Sequence, residues 1–287
     1  MGELTSPNLM LTGVPRGGTT LACQLLQQCQ DTVALFEPMD VATLPRDRSA
    51  AVLEVQRFFV ACREQLLLDG SAPSKHVGGA VPDNPFASEV GTDGTRAMIA
   101  AHGRVRIEPR PAPGFTLVIK HNAAFAALLP ELSTTCRMLA IVRHPLSVLA
   151  SWNSVDLPVR SGRIPAGEHF DPELAARLDQ ETDPLRRQLL VLEWFFSRFN
   201  RLLPIGEVLR YEDMIGSQGE QLCALAGVHG TAITGLSERN ANVLYPQALI
   251  PQLVEALGKQ AGSWQRWYPP ETFEPLAKRM LAARGMP

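Results

Sequence analysis

The 287-residue chain lacks the features that mark exported, membrane-spanning and disulfide-stabilised proteins. Its five cysteines include no C-x-x-C pair, and their odd number leaves at least one unpaired, which argues against a disulfide framework and against a zinc site. Nowhere do about 18 apolar residues run together, and Met1 to Asn8 contain no basic segment followed by an apolar stretch. We therefore expect a cytoplasmic protein in a reducing compartment, with no membrane anchor.

The chain also has no excess of charge of either sign, since 27 Lys and Arg residues stand against 29 Asp and Glu residues. A balanced charge gives no reason to expect nucleic acid or an anionic membrane as a partner, so any anion site must be local. The length and the 45% hydrophobic content suit one α/β domain with insertions better than two domains. We expect a single domain over residues 1–287.

The first motif is an apolar run, a Pro/Gly turn and an amphipathic segment over residues 8–28. Gly17 and Gly18 let the backbone fold closely around an anion, and the free N–H groups of the following helix point to the same place. Thr19 and Thr20 add hydroxyl groups. The spacing G-x-x-x-x-G-K-[ST], whose Ser or Thr holds magnesium in nucleoside triphosphatases, does not occur. The motif predicts a strand-loop-helix that binds an anion without a metal.

Two motifs together resemble a known family. The loop from Val14 to Thr20, V-P-R-G-G-T-T, resembles the 5′-phosphosulfate loop of sulfotransferases that use 3′-phosphoadenosine 5′-phosphosulfate (PAPS), with Arg16 where many members carry lysine. The segment from Ile141 to Trp152 resembles the family's 3′-phosphate motif, in which an arginine ends a strand and a serine follows eight residues later; Arg143 and Ser151 stand at these positions. Because the motifs serve the two anionic ends of one donor, we interpret the chain as a PAPS-dependent sulfotransferase.

The resemblance implies an α/β fold in which a central parallel sheet is flanked by helices and carries a P-loop-like strand-loop-helix. Tyr211 lies in a segment similar to the family's L-x-Y-E-D-M, which implies a contact near the 3′ side of the donor. Lys259 lies in a tail segment that resembles the family's R-K-G-x-x-G-x-W loop, although only Gly262 and Trp264 fall in register. The donor-binding residues implied are Arg16, Gly17, Gly18, Thr19, Thr20, Arg143, Ser151, Tyr211 and Lys259.

Sulfonate transfer needs cations on the leaving phosphate and a base for the acceptor. Arg16 stays charged and would stabilise charge there, and Lys120, at the end of an apolar strand, is either an anion ligand or a lysine whose charged end reaches solvent. The sequence leaves two candidates for the base. Glu37 resembles the glutamate of the F-E-P segment in carbohydrate-type members, whereas His121 resembles the histidine of K-T-H but sits one position early. No metal ligands are predicted.

Apolar periodicity and turn residues predict the remaining elements. Strands are expected at Thr32 to Phe36, Phe115 to Lys120 and Met138 to Val142, and a long amphipathic helix from Pro184 to Leu203. A further helix from about Ala50 to Leu68 is expected to bury Leu53, Phe58 or Phe59, and Leu66. The polar, Pro/Gly-rich segment 70–114 is expected to be irregular and to face the acceptor or form a lid, and segment 153–182 is expected to be a second mobile segment over the acceptor site.

The acceptor itself carries no motif. The F-E-P match and the loop arginine favour the hydroxyl of a sugar or another alcohol, in a small molecule or a glycan. Two other functions remain open: a P-loop nucleotide kinase or hydrolase, and an adenine-nucleotide-binding protein without catalysis. A homo-oligomer also remains open, because an apolar helix face can meet either the core or a second subunit.

Overall fold

A sheet of five parallel strands lies at the centre of the protein, which a computed structural model describes over residues 7–92, 94–230 and 235–283. The prediction that Met1 to Asn8 form no export signal thus concerns residues that, except for Pro7 and Asn8, lie outside the described ranges. The strands are β1 (Asn8–Gly13), β2 (Thr32–Phe36), β3 (Ser71–His76), β4 (Ala101–Arg106), β5 (Thr116–Lys120), β6 (Arg137–Val142) and β7 (Val208–Arg210). The central sheet has the order β2-β5-β1-β6-β7, and β3 and β4 form a separate pair. The predicted parallel α/β fold is confirmed.

Helices connect the strands and cover both faces of the sheet. They are α1 (Thr19–Gln27), α2 (Arg48–Asp69), α3 (Ala123–Ala127), α4 (Leu129–Leu132), α5 (Pro145–Trp152), α6 (Pro165–Glu168), α7 (Pro172–Gln180), α8 (Pro184–Leu202), α9 (Tyr211–Gly216), α10 (Glu220–Ala226), α11 (Ile250–Gly258) and α12 (Phe273–Ala282). Within the described ranges, none of these helices is long and apolar enough to cross a membrane.

Alternation along the strands divides the interior into two cores. On β5, Leu117 and Ile119 enter the larger core, which α2, α5 and α8 cover, whereas Val118 enters the smaller core under α1, α9 and α10. Successive side chains of a strand point to opposite faces, so a strand covered on both sides is apolar throughout. This explains why the strands of the central sheet were recognisable as continuous apolar runs.

The helix predicted from Ala50 to Leu68 is α2, and its ends follow from capping. The Asp47 side chain accepts a hydrogen bond from the backbone N–H of Ala50 at 2.8 Å, and Gly70 ends the helix in a left-handed conformation with φ 74°. Phe59 and Leu66 are buried as predicted. The prediction for Leu53 was wrong, because its side chain is 53% exposed on the opposite side of the helix.

The prediction that segment 70–114 is irregular was wrong in part. Strands β3 and β4 pair in antiparallel fashion from Ser71 opposite Arg106 to His76 opposite Ala101. The pair is attached to the sheet at Ser74, whose hydroxyl accepts a hydrogen bond from the backbone N–H of Phe36 at 3.0 Å. Both strands are largely polar, so they lack the apolar pattern by which a strand is recognised.

Segment 153–182 contains short helices. It contains a 3₁₀ turn at Pro158–Ser161 followed by α6 and α7. Each of these pieces begins with proline, which is favourable at a first helical position, and the Asp171 side chain caps α7 by accepting from the N–H of Leu174 at 3.0 Å. Short proline-initiated helices resemble loops in sequence. The long helix predicted after them is α8.

Candidate functional site

A cavity of about 900 Å³ opens at the carboxyl-terminal edge of the sheet. Residues directly after β1, β2, β5, β6 and β7 all line it, which is where ligands bind in open parallel sheets. Eight of its described lining residues are Lys or Arg and four are Asp or Glu, although the whole chain has a net charge of −2. The cationic lining residues are Arg16, Arg46, Lys75, Arg96, Lys120, Arg143, Arg163 and Arg239. The cavity is therefore locally suited to anions.

The loop after β1 takes a shape that only glycine allows. Gly18 caps α1 with φ 94° and no side-chain hydrogen bond, so the first N–H groups of the helix are left for a ligand. A Cβ at Gly18 would lie 2.6 Å from the Tyr211 ring, and one at Gly17 would lie 2.7 Å from the carbonyl oxygen of Val14. Gly18, Thr19 and Thr20 line the cavity. The loop has the form that the sequence predicts for anion binding.

Arg16 links this loop to the second motif. It has a left-handed backbone with φ 66°, and its Nε donates to Ser151 Oγ at 3.1 Å. Its guanidinium lies 4.4 Å from the centre of the Phe86 ring. Burial, with smaller contributions from nearby Arg96 and Arg143 and against a raising effect of Tyr245, lowers the pKa of Arg16 to about 9. Arg16 and Ser151 therefore meet in one place, and the charge on Arg16 is poorly compensated there.

Arg143, at the end of β6, is held by three hydrogen bonds. Its Nε donates to Asn240 Oδ1 at 2.7 Å, and its two terminal nitrogens donate to the carbonyl oxygens of Arg16 at 3.2 Å and Arg239 at 2.6 Å. The guanidinium lies 4.3 Å from the centre of the Tyr211 ring. A guanidinium has five N–H groups, so donors remain for a ligand after these bonds are made. Arg143 joins the two motifs and also faces the cavity.

The predicted contact residue Tyr211 lies between the loop and Arg143. Its hydroxyl accepts from the backbone N–H of Arg239 at 3.2 Å. The next residue, Glu212, accepts from Asn240 Nδ2 at 2.7 Å and from the Tyr268 hydroxyl at 2.7 Å. The segment that begins at Tyr211 thus orients Asn240, which in turn orients Arg143.

Glu37 lies at the centre of the cavity between two lysines. Its carboxylate accepts from Lys120 Nζ at 2.6 Å and from Lys75 Nζ at 2.7 Å. Burial alone would raise the pKa of Glu37, but Lys120 and Lys75 outweigh it and hold the pKa well below its usual range. The backbone of Glu37 is left-handed with φ 43°, which is strained for a residue other than glycine and frequent at functional sites.

His121 is placed beside Glu37 but is less accessible. Its Nε2 accepts a hydrogen bond from the backbone N–H of Met39 at 3.2 Å, and only 5% of the residue is exposed. Burial lowers the pKa of His121 to about 3 and outweighs the opposite effect of Glu37. The imidazole is thus neutral, with one nitrogen already engaged by the backbone. Both candidate bases line the cavity, and Glu37 is the one that carries a charge at neutral pH.

The structure does not bring Lys259 to the cavity. Its side chain is 72% exposed and pairs with Glu255 one turn earlier, just after α11. Trp264 in the same tail is fully buried in the larger core and packs as a core aromatic. Residues 257 and 258 are Leu and Gly, so the tail segment supplies no cation at either position.

The cavity residues for which the sequence gives no prediction include Lys75, Phe86, Arg96 and Tyr245. Lys75 lies on the polar strand β3, and Phe86 and Arg96 belong to the connection between β3 and β4. No local motif surrounds them. Only the presence of cationic and aromatic residues in an otherwise Gly/Pro-rich segment could have marked this stretch as a contributor to the site.

The rest of the cavity is mainly apolar. Its wall is formed by the turn at Val41–Thr43, the start of α3, and the segment from Leu157 to Ala166. His169 Nε2 lies 2.9 Å from the carbonyl oxygen of Leu44 and joins two of these pieces. The apolar residues of this wall are Met39, Val41, Ala42, Ala123, Ala124, Leu157, Val159, Ile164 and Ala166. The cavity therefore has a basic lobe near Arg16 and Arg143 and an apolar lobe, with Glu37 between them.

The described ranges contain no group of three or more His, Cys, Asp or Glu side chains placed to hold a metal ion. No family model matches the chain, and no curated protein matches it. Among solved structures, the chain is similar to a sulfotransferase from Alicyclobacillus acidocaldarius, with 14% sequence identity over 96% of this chain and 94% of that chain and a TM-score of 0.40. At so low an identity and TM-score, this similarity does not bear on the function of the chain.

Proposed function

We propose that the protein is a sulfotransferase that moves a sulfonate group from PAPS to the hydroxyl of an acceptor. The observation that carries the proposal is the convergence of two separate motifs: Arg16 of the loop donates to Ser151 and accepts from Arg143 through its carbonyl. Two anion-binding motifs in direct contact suit a ligand with two anionic groups. The same proposal takes the chain as a single domain with one catalytic site. Residues 70–114 and 153–182 would shape the acceptor part of that site.

The residues of the basic lobe fit such a donor. A Cβ at Gly17 or Gly18 would collide with Val14 or Tyr211, so the loop can take this shape beside the cavity only with glycine, and the buried Nε of Arg96 has no hydrogen-bond partner among the described residues. Gly17, Gly18, Thr19 and Thr20 would hold the 5′ end, and Arg143 and Ser151 the 3′-phosphate. The donor supplies the sulfonate, which leaves an adenosine phosphate and bonds to the acceptor oxygen.

Glu37 is the residue that we assign to the acceptor proton. At neutral pH it is a carboxylate and can accept a hydrogen bond from a hydroxyl; because Lys120 and Lys75 also lower its basicity, it receives the proton only as the oxygen gains its new bond. Lys120 and Lys75 hold the Glu37 carboxylate and also bring positive charge to the place where the leaving phosphate becomes more negative. Arg16 contributes to the same stabilisation.

The apolar lobe favours an alcohol on an apolar body over a sugar as the acceptor. A sugar presents several hydroxyl groups that need hydrogen-bond partners when buried, whereas the side chains lining the wall from Leu157 to Ala166 are apolar except for Arg163. An apolar acceptor gains from burial against the same wall.

The test has two parts, and both are first carried out without magnesium. Thermal unfolding is measured with 3′-phosphoadenosine 5′-phosphate and with adenosine 5′-phosphate, because a ligand that binds the folded protein more tightly raises the unfolding midpoint more at the same concentration. Transfer from PAPS is then measured to an aliphatic alcohol, a phenol and a sugar. A midpoint shift that needs the 3′-phosphate, together with transfer, is the expected result. Stabilisation only by a triphosphate with magnesium indicates a kinase or hydrolase, and binding without transfer indicates a non-catalytic protein.

A further inference from the structure

Arg96 is a buried cation with an incomplete set of hydrogen bonds. It lies in the connection between β3 and β4, and only 5% of the residue is exposed. Its Nε is buried without a hydrogen-bond partner among the described residues. A buried charged donor without a partner is costly, and such groups in native structures call for an explanation. The side chain also lines the basic lobe of the cavity.

The backbone of Arg96 is fixed beside the helix that carries Ser151. Its N–H donates to the carbonyl oxygen of Ser154 at 3.2 Å, and its own carbonyl accepts from the N–H of Asp156 at 3.2 Å. Ser154 comes three residues after Ser151, just past the end of α5. The connection between β3 and β4 is therefore anchored at the Ser151 end of the cavity.

The side chain of Arg96 joins a cluster with the two arginines of the motifs. Arg16 and Arg96 lie against the same ring of Phe86, at 4.4 Å and 5.9 Å from its centre. The charges of Arg96 and Arg143 both lower the pKa of Arg16, which burial has already reduced. Three like charges held close together oppose one another, and an anion with more than one charge would relieve that repulsion.

The tail lysine does not reach the cavity. Lys259 is exposed and paired with Glu255, outside the cavity. Arg96 therefore supplies, from a segment in the middle of the chain, the positive charge that the sequence suggested would come from the tail.

We propose that Arg96 binds the 3′-phosphate of the nucleotide together with Arg143 and Ser151, and so sets the preference of the site for 3′-phosphorylated nucleotides. This inference rests on the proposed function. The Phe86 ring, 5.9 Å from the Arg96 guanidinium, packs beside this cluster.

The test compares the dissociation constants of 3′-phosphoadenosine 5′-phosphate and adenosine 5′-phosphate in each variant by titration calorimetry. In Arg96→Ala we expect the affinity for the bisphosphate to fall by roughly 10- to 100-fold, as for the loss of hydrogen bonds to a charged group, while the affinity for the monophosphate changes little. Because each variant compares two nucleotides, a general loss of stability cancels from the ratio. Arg96→Lys keeps the charge without the forked geometry and should retain an intermediate preference, which provides the test if Arg96→Ala does not fold.

Two further variants serve as controls. Arg106→Ala removes an exposed arginine of β4 outside the cavity and should leave the preference unchanged. Lys259→Ala tests the tail. Three outcomes would overturn the assignment of Arg96. They are an unchanged preference in both Arg96 variants, an equal loss of affinity for both nucleotides, and a loss of preference in Lys259→Ala alone. If the wild-type protein does not distinguish the two nucleotides, the proposed function fails first and the inference fails with it.

Discussion

At the scale of single residues, the arrangement around Glu37 explains how a carboxylate is kept ionised inside a cavity. The Lys120 side chain is only 2% exposed, so the charges of Lys120 and Glu37 stabilise each other inside the protein. Lys75 makes the second bond from β3, on a strand that follows Glu37 by 38 residues. A buried ion pair of this kind is not needed for stability alone, since apolar residues often serve as well. Its position between the two lobes supports a role in the reaction.

Glu37→Gln keeps the shape of the side chain but cannot receive a proton. We expect the rate of sulfonate transfer to fall by about 100-fold or more, as for the loss of a general base, with little change in the affinity for 3′-phosphoadenosine 5′-phosphate. The substitution also leaves Lys120 without a carboxylate, so the free energy of unfolding should fall by about 3 kcal/mol. Steady-state transfer rates and urea unfolding measure the two effects separately.

Glu131→Gln is the matched control for Glu37→Gln. Glu131 pairs with Arg48 through half-buried side chains outside the cavity, so this change should lower stability without changing transfer. Unchanged transfer in Glu37→Gln would move the role of the base to His121. His121→Gln would then be the variant to lose activity.

At the scale of elements, the loop after β1 depends on glycine at one position above all. Gly18→Ala places a Cβ 2.6 Å from the Tyr211 ring and also requires φ near 94° from a residue with a side chain. Such backbone strain costs about 1–3 kcal/mol, and displacement of Tyr211 would disturb Arg143, which lies against its ring. We expect lower stability in thermal unfolding together with weaker binding of 3′-phosphoadenosine 5′-phosphate.

Gly79→Ala separates the two effects, because Gly79 has a similar φ of 87° but nothing within 4 Å of an added Cβ. This control should lose some stability through strain and keep nucleotide affinity. Nucleotide affinity in Gly18→Ala equal to that of the wild type would show that the close approach of Gly18 and Tyr211 does not matter for binding.

The elements also show which parts of the site can be predicted from sequence. Glu37 and Arg143 directly follow apolar strands and Lys120 ends one, and the ends of parallel strands meet at one edge, so local patterns alone place them together. Lys75 and Arg96 reach the same cavity from a polar pair and its connection, which have no apolar periodicity. Their position depends on tertiary contacts, such as that of Ser74 with Phe36, and such contacts leave no local pattern. Lys259 is the opposite case, because a weak motif in the sequence predicts it as a site residue and its side chain lies outside the cavity.

At the scale of the whole molecule, positive charge is concentrated in one place while the overall charge stays near zero. The basic lobe can therefore attract an anionic nucleotide without making the rest of the surface a general anion binder. The larger core extends beneath the cavity and includes Trp152, whose indole N–H donates to the carbonyl oxygen of Pro15 at 2.8 Å and so attaches α5 to the loop after β1. Folding of the core and shaping of the site are thus coupled.

The stability of the whole molecule should fall as the pH is lowered from about 6.5 towards 3. Burial lowers the pKa of both His121 and His144 to about 3; Glu37 opposes the shift at His121, and Arg143 adds to that at His144. In the unfolded chain a histidine takes up its proton near pH ~6.5, so between these values the unfolded state binds more protons and stability rises with pH.

Urea unfolding at pH 7, 6, 5 and 4.5 tests this expectation about the two buried histidines. His121→Asn and His144→Asn should each lower the slope of the unfolding free energy against pH by about one proton, because asparagine does not titrate. The matched control is His229→Asn, since His229 is exposed and should leave the slope unchanged. A slope that stays the same in both buried variants would mean that these histidines are protonated as easily in the folded protein as in the unfolded chain. In that case His121 could take part in proton transfer near neutral pH, and the assignment of the base to Glu37 would lose its main support.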